Sequence, residues 1–435
     1  MELSEHLFRR ESGRLVAALV RIFGVHNLAL AEDVVQDAFC RALEVWKVRG
    51  IPDNPAAWLM SVAKHRAVDI VRREKTAHTF AAELSRTLES EWTLVPAVEE
   101  AFTGSTIRDE QLRMMFSCCH PALPEEVQVA LILNILCGFG AAEIAGAFLT
   151  SHAAMEKRIS RGKKSLASSQ RLFDLADAEF TPRLAGVRRA LYVLFSEGYH
   201  GASPETAVRA DLCREAIRLT MLLLDAPQTA SPETNALAAL MHLHAAKLPA
   251  RLDAEGDLNP LLDQDRSRWD AQLVARGLEL LDRSAAGPIV SPFHVEAAIA
   301  AVHATASSVA TTDWTAILEL YDRLMGLAPS PVVALNRAIA IGQRDGPQQG
   351  IAALRAIANP ERLRGYPFYR AAFGEFELRL GNHRTAREHF AAAVDIARNG
   401  DERRFLERRV HHCNEVETQS TTIAYSGHGK SGGVP

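Results

Sequence analysis

The sequence predicts an all-α protein in which two small helical domains precede a longer helical domain with tetratricopeptide-like repeats. Apolar residues recur at helical spacing along most of the 435 residues, aromatic residues make up only 6%, and prolines lie between the periodic segments. With 48% hydrophobic and 23% charged residues, the composition excludes a disordered, collagen-like or disulfide-scaffold chain. At roughly 100–200 residues per domain, the length predicts two to four domains.

Charge and cysteine content bear on the class of protein and on its compartment. The formal charge of −4 seen alone argues against a nucleic-acid-binding protein, but it averages segments of opposite charge and does not exclude one. No run approaches the roughly 18 apolar residues that span a bilayer, and the charged first residues do not form a secretory signal. Six cysteines without a framework spacing favour a reducing compartment. We therefore expect a cytoplasmic protein that does not contact a membrane.

Three clusters resemble metal or phosphate sites, and each departs from what that chemistry requires. Adjacent Cys118 and Cys119 cannot easily supply two tetrahedral ligands. The acidic cluster at 253–265 lacks the spacing of a calcium-binding loop. The tail at 427–431 lacks the first glycine of a phosphate loop. We expect no metal, cofactor or catalytic residue, and we expect the acidic cluster to form ion pairs with nearby arginines: Arg251, Arg266 and Arg268.

Pattern and composition divide the chain into six segments. The second segment is acidic, with seven carboxylates against two arginines and a net charge of −5. The last segment is rich in Gly, Ser and Thr and has too few apolar residues to fold, so we expect it to be disordered. The expected segments are 1–75, 76–110, 111–172, 180–290, 294–412 and 417–435.

An internal repeat is predicted within 294–412. A first-helix glycine, a turn glycine and then small, aromatic and small residues on a second helix are typical of a tetratricopeptide repeat. Such pairs bury their apolar faces by stacking on neighbouring pairs. Two earlier repeats, around 316–329 and 345–346, match more weakly, and a plain helical bundle remains an alternative. The residues of the best match are Gly374, Gly381, Ala386, Phe390 and Ala393.

A helix-turn-helix is predicted from three helices at 125–137, 141–148 and 152–166, with the small Ala145 where two of them cross. Residues 151–171 hold six cations against one glutamate, a net charge of +5. A cationic helix in a major groove can place its first side chains on base edges and its later ones on phosphates. The alternative is a solvated basic face.

The turn of this motif has one favourable and one unfavourable feature. Thr150 or Ser151 is suited to cap the third helix and to bond a phosphate. Leu149 stands where such a turn commonly has a glycine in a left-handed conformation, which indicates a different type of turn.

Three helices are predicted in the N-terminal segment. Over 31–47 the apolar residues, Leu43 among them, recur as one inward face. A polar loop at 50–55 then leads to a helix over 56–74 whose cations project outward, with Asp69 available to pair one of them. A polar loop beside a cationic helix suits the capture of an unstacked base on melted DNA.

The order of these motifs resembles a bacterial sigma-70 family factor of the extracytoplasmic-function type. An Asp-x-x-Gln-Asp-x-Phe helix starts at Asp33, a Pro-x-x-Trp-Leu helix starts at Pro55 and ends in Asp-x-x-Arg-Arg, and an acidic linker and the helix-turn-helix follow. Residues 8–74 resemble its region 2 and residues 111–170 its region 4. The remainder is similar to a subgroup with a long helical C-terminal extension, on the stretches 191–199, 212–219, 263–269 and 403–409.

The resemblance implies roles for particular residues. Docking on core RNA polymerase is implied for Asp33, Gln36, Asp37 and Leu43. Recognition and opening of the −10 promoter element are implied for Asp53, Asn54, Lys64, His65, Arg66, Arg72 and Arg73. Reading of the −35 element is implied for Ser151, His152, Glu156, Lys157, Arg158, Arg161, Lys163 and Lys164. The acidic linker would thread the polymerase channel. His65 replaces the asparagine common in the family, so base specificity at that position is not transferred.

The predicted function is therefore promoter-specific transcription initiation with core RNA polymerase, without any covalent reaction by the chain itself. We expect the C-terminal helical domain to regulate the sigma part, by packing on it or by binding a regulatory protein. Two alternatives stay open. One is a helix-turn-helix regulator with a repeat-type effector domain, and the other is an enzyme within 180–290.

Overall fold

The computed structural model describes residues 5–23, 27–74, 109–148, 150–168, 179–201, 206–253 and 256–427. Within these ranges the chain forms 19 α-helices and no β-strand, which confirms the predicted all-α class. Two compact units are present, an N-terminal unit of residues 1–194 and 218–230 and a C-terminal unit of residues 195–217 and 231–435. Most of the predicted acidic linker and the turn residue Leu149 lie outside the described residues.

Bounds were predicted for five helices of the N-terminal unit, and the observed bounds agree with them to within about three residues. Seven helices belong wholly to this unit. They are α1 (Glu5–Phe23), α2 (Leu28–Arg49), α3 (Pro55–Glu74), α4 (Glu110–Cys118), α5 (Glu125–Leu136), α6 (Ala141–Ala147) and α7 (His152–Ala167). Two further helices contribute residues to both units: α8 (Phe180–His200) and α9 (Ala210–Asp225).

The apolar core of the N-terminal unit joins its first three helices and continues into the next four. The rings of Trp46 and Trp58 lie 5.2 Å apart between α2 and α3. Helix α1 also packs closely on α5, because a Cβ at Gly13 would lie only 1.9 Å from the carbonyl oxygen of Leu136. The helices of the helix-turn-helix therefore share one core with α1 to α3.

The inward assignment of Leu43 is wrong. Its side chain is 49% exposed, whereas Ala42 and Trp46 are buried. Since successive residues of a helix are about 100° apart, Leu43 falls just outside the buried stripe that Ala42 closes. The exposed position is compatible with the docking role implied for this residue.

The C-terminal unit continues with ten helices. They are α10 (Pro232–Ala245), α11 (Leu248–Arg251), α12 (Ala271–Ser284), α13 (Pro292–Thr305), α14 (Trp314–Leu327), α15 (Pro331–Arg344), α16 (Pro347–Arg355), α17 (Pro367–Arg379), α18 (His383–Val394) and α19 (Gly400–Gly427). The predicted disordered segment begins too early, because α19 continues through 417–427. An established helix adds a hydrogen bond with each further residue even where the side chains are polar. Residues 428–435 lie outside the described part.

Helices α17 and α18 pack through the residues on which the repeat prediction was based. A Cβ at Gly374 would lie 2.8 Å from the Phe390 ring, so the ring takes the space that a side chain would fill. Ala386, Phe390 and Ala393 are completely buried. This packing agrees with a tetratricopeptide-like pair, and the assignment of three repeats stays a prediction.

The acidic cluster forms the expected ion pairs, and those of Asp257 are made with arginines that were not predicted. Asp257 pairs with Arg404 at 2.5 Å and also with Arg408, both on α19. The three arginines that were expected there donate hydrogen bonds to backbone carbonyl groups. Their acceptors are Tyr199 for Arg251, His303 and Ala306 for Arg266, and Pro249 for Arg268.

Candidate promoter and polymerase interface

Helix α7 is fixed on the N-terminal unit by its cap and by one apolar face. The Ser151 hydroxyl accepts a hydrogen bond from the Ala154 amide at 3.4 Å, which satisfies one of the free amides at the helix start. Met155, Ile159 and Leu166 are buried against neighbouring helices. Burial of this face leaves the opposite face of α7 available to a ligand.

The opposite face of α7 is polar, cationic and exposed. Its exposed residues include six of the eight implied −35 contacts. They are Ser151, His152, Glu156, Lys157, Arg161 and Lys164. A helix about 24 Å long with cations along one side matches a segment of DNA major groove.

The remaining two implied −35 contacts are engaged within the unit. Arg158 pairs with Glu126 of α5 at 2.8 Å. The Lys163 ammonium lies 2.6 Å from the carboxylate of Glu32 on α2, and both side chains are 28% exposed. Sequence reasoning missed both glutamates, since no local pattern indicates partners that lie 32 and 131 residues away.

The implied polymerase-docking residues lie together on α2. Asp33, Gln36 and Asp37 are exposed, as is Leu43. The Asp37 carboxylate accepts a hydrogen bond from Arg66 Nε at 2.7 Å. This ion pair joins the implied polymerase-binding and DNA-binding sets. The pairing expected of Asp69 stays a prediction.

The polar loop before α3 combines turn geometry with exposed side chains. Gly50 has a φ of +81°, in the region that favours glycine. The Asn54 side chain accepts a hydrogen bond from the Ala57 amide at 3.0 Å and so caps α3. Asp53 is exposed, and Ile51 adds an exposed apolar side chain that the sequence reasoning did not select. The loop therefore presents polar and apolar groups beside each other.

The cations of α3 are only partly described. Lys64 is half-buried, and the ring of the exposed His65 lies with Nδ1 2.7 Å from the carbonyl oxygen of Ser61. Arg72 and Arg73 belong to the helix, but their side chains lie outside the described residues. Lys64, His65 and Arg66 are thus the cationic members of the implied −10 set whose side chains the structure describes on α3.

The adjacent cysteines of α4 and its C-terminal end have the environment of structural thiols. Cys118 and Cys119 are buried, and burial raises the pKa of Cys118 to about 12. The pKa of Cys119 is also raised, first by burial and then by the neighbouring Cys118. Within the described residues, no three side chains of the metal-binding types lie close enough to hold an ion.

A helix-turn-helix with an exposed cationic third helix is the signature of a DNA-binding protein. Comparison with known protein families identifies the class of DNA-binding protein. The Sigma-70 region 2 family matches residues 7–76, the Sigma-70, region 4 family matches residues 113–166, and a Family of unknown function (DUF6596) matches residues 183–285. The chain belongs to the sigma-70 family of RNA polymerase sigma factors, which confirms the resemblance seen in the sequence.

A relative covers nearly the whole chain. An uncharacterized protein of Rhizobium meliloti (strain 1021) is 39% identical over 412 residues, which span 94% of this chain and 95% of the relative. No solved structure matches the chain significantly. Among the described residues, no helix is both long enough and apolar enough to cross a membrane.

Family membership establishes the general function. The chain is a promoter-recognising transcription initiation factor that acts with core RNA polymerase and promoter DNA. The sigma-70 family is not a family of enzymes.

Proposed function

We propose that the outward face of α7 binds the −35 element. The first turn places Ser151, His152 and Glu156 at base edges, and the later turns place Lys157, Arg161 and Lys164 on phosphates. The exposure of this face beside a buried apolar face is the observation that supports the proposal most strongly.

The −10 element is bound at the loop before α3 and along α3. Asp53 and Asn54 contact an unstacked base, and Lys64, His65 and Arg66 contact the strand, with Arg72 and Arg73 continuing the cationic helix. Core RNA polymerase docks on the exposed side of α2. That docking surface consists of Asp33, Gln36, Asp37 and Leu43.

Initiation requires the N-terminal unit to open. Elements named −10 and −35 are centred about 25 base pairs apart, which is about 85 Å of duplex at 3.4 Å per base pair. The helix proposed for the −35 element is instead held to α2 by the Lys163–Glu32 ion pair at 2.6 Å. Helices α2 and α7 must therefore separate, and separation releases Lys163 for a phosphate.

The C-terminal unit regulates this initiation, either by acting on the N-terminal unit or by binding a regulatory protein at its helical repeats. The whole chain catalyses no covalent reaction and works in the cytoplasm. In this scheme residues 1–75 form region 2, 76–110 the linker, 111–172 region 4, 180–290 the helical extension and 294–412 the repeats.

The −35 assignment is tested with a Lys157→Ala/Arg161→Ala double variant of the full chain. Promoter binding is measured at several salt concentrations in the presence of core polymerase. Loss of two phosphate contacts should reduce the slope of log K against log[salt] by about 2, since each contact contributes about 0.9.

The matched control is Arg362→Ala/Arg364→Ala, which removes two exposed arginines of the C-terminal unit and should leave the slope unchanged. An unchanged slope in the Lys157/Arg161 variant would show that α7 does not contact the promoter.

A further inference from the structure

A cavity of about 250 Å³ lies within the C-terminal unit. Helices α15, α17 and α19 contribute to its wall, and the chain segment that follows α11 completes it. Its volume is just below the usual range of about 300–1,000 Å³ for small-molecule sites, so it suits a compact ligand rather than a peptide.

Most of the cavity wall is apolar. Leu258, Phe376 and Phe405 are at most 8% exposed and line it together with Phe368 and Ala371. An apolar wall of this kind favours a ligand whose body is itself apolar, because both surfaces leave water on binding.

Two guanidinium groups in the wall are held in place while part of each stays unpaired. Arg251 Nη2 donates to the Tyr199 carbonyl oxygen at 3.3 Å, and the guanidinium lies 4.7 Å from the centre of the Tyr199 ring. Arg409 Nη2 donates to Glu375, and its guanidinium lies 5.7 Å from the centre of the Phe390 ring.

The Nε atoms of both arginines are buried and have no hydrogen-bond partner among the described residues. A buried donor without an acceptor costs about 1–3 kcal/mol, and more where the group is charged. An acceptor supplied by a ligand would remove that cost.

The charges along the wall favour an anion. Arg251, Arg379 and Arg409 stand against two carboxylates, Asp263 and Glu375. Glu375 pairs with Arg409, which leaves two arginines and a single carboxylate. The wall therefore carries a net positive charge.

We propose that this cavity binds a compact small molecule with an apolar body and one anionic group, such as a carboxylate or sulfonate. The anionic group accepts hydrogen bonds from the free Nε–H edges of Arg251 and Arg409, in the planar geometry that guanidinium offers to such oxygens. The apolar body lies against Phe368, Phe376 and Phe405. The sigma-factor assignment does not require this site, so the two stand or fall separately.

The test uses 1-anilinonaphthalene-8-sulfonate and its neutral counterpart N-phenyl-1-naphthylamine, which has the same aromatic body without the sulfonate. Binding to the full chain is followed by fluorescence and by calorimetry. The sulfonate should saturate one site per chain, and the neutral compound should bind at least tenfold more weakly.

Two variants probe the site through different properties. Arg251→Gln removes one guanidinium and should weaken sulfonate binding at least tenfold. Ala372→Phe fills the cavity with a ring and should abolish the binding of both compounds. Arg364→Gln, at an exposed position outside the cavity wall, is the matched control and should bind as the unchanged chain does.

The proposal is overturned if the sulfonate does not saturate a single site, or if both probes bind equally well. It is also overturned if Arg251→Gln and Ala372→Phe keep full affinity while circular dichroism shows them folded. Because the readout is ligand binding, none of these results depends on transcription activity.

Discussion

His303 on α13 is a buried imidazole beside other cationic groups. It is 7% exposed, and its ring lies 5.4 Å from that of Trp314. Burial, and then the positive charges of Lys247 and Arg266, together lower the pKa of His303 to about 3. Burial also lowers the pKa of Lys247 to about 7. The interior of the C-terminal unit therefore destabilises the protonated, positively charged forms of His303 and Lys247.

His303 predicts a loss of stability in acid. Below about pH 6.5 the unfolded chain takes up a proton that the folded chain excludes, so the free energy of unfolding falls as the pH falls towards 3. Between its folded and unfolded pKa values, a single group of this kind lowers the free energy of unfolding by about 1.4 kcal/mol for each pH unit. Between pH 7 and pH 5, the free energy of unfolding measured by chemical denaturation should therefore fall by about 1–2 kcal/mol less in His303→Phe than in the unsubstituted chain.

His412→Phe, at an exposed position of α19, serves as the control and should lose as much stability as the unchanged chain. Equal losses in His303→Phe and the unchanged chain would show that His303 is protonated in the folded state at pH 5.

At the scale of elements, the ion pair between α2 and α7 contributes to the cost of the opening proposed above. The Lys163–Glu32 pair is partly exposed, so it stabilises the closed arrangement by about 0.2–1 kcal/mol. Glu32→Gln should therefore raise the apparent affinity for core RNA polymerase roughly 1.4- to fivefold, as measured by titration of labelled chain with core enzyme.

Glu44→Gln is the matched control for this titration. Glu44 lies on the same helix but pairs locally with Arg41 at 2.9 Å, so its loss should not change the affinity. A Glu32→Gln chain with unchanged or weaker affinity would contradict an opening step.

Helix positions could be predicted from the sequence, whereas the long-range contacts could not. The start of α7 is marked locally by Ser151, and its apolar side is marked by Met155 and Ile159 at helical spacing. The Lys163–Glu32 pair depends on how two helices pack across 131 residues, for which one sequence carries no signal.

The same limit applies to the acidic cluster and to the ligand cavity. Proximity in sequence favoured Arg251, Arg266 and Arg268 as partners of the cluster, but folding brings Arg404 of α19 to its member Asp257. The cavity wall likewise joins residues from 251 to 409, which share no local motif.

At the scale of the whole molecule, the sigma regions are continued by a helical unit of about equal size. The regulatory role proposed for the C-terminal unit is tested inside the full chain with Phe390→Ala, which empties a completely buried site between α17 and α18. Such a change costs about 3–5 kcal/mol. We expect a lower midpoint of thermal unfolding for the C-terminal unit together with altered promoter output.

Phe390→Leu fills most of the site. It should therefore retain more of the thermal stability of the C-terminal unit and more of the original promoter output. Unchanged transcription in Phe390→Ala, at a temperature where the C-terminal unit has unfolded, would contradict a regulatory role.

Reconstituted transcription tests the central claim most directly. Purified core RNA polymerase and fragments of the source genome are combined with the full chain as the sole specificity subunit, and transcript start sites are mapped. We predict initiation at discrete sites that share −10 and −35 sequences and that are lost without the chain. Unchanged transcript patterns with and without the chain, in conditions where it binds core polymerase, would contradict the claim.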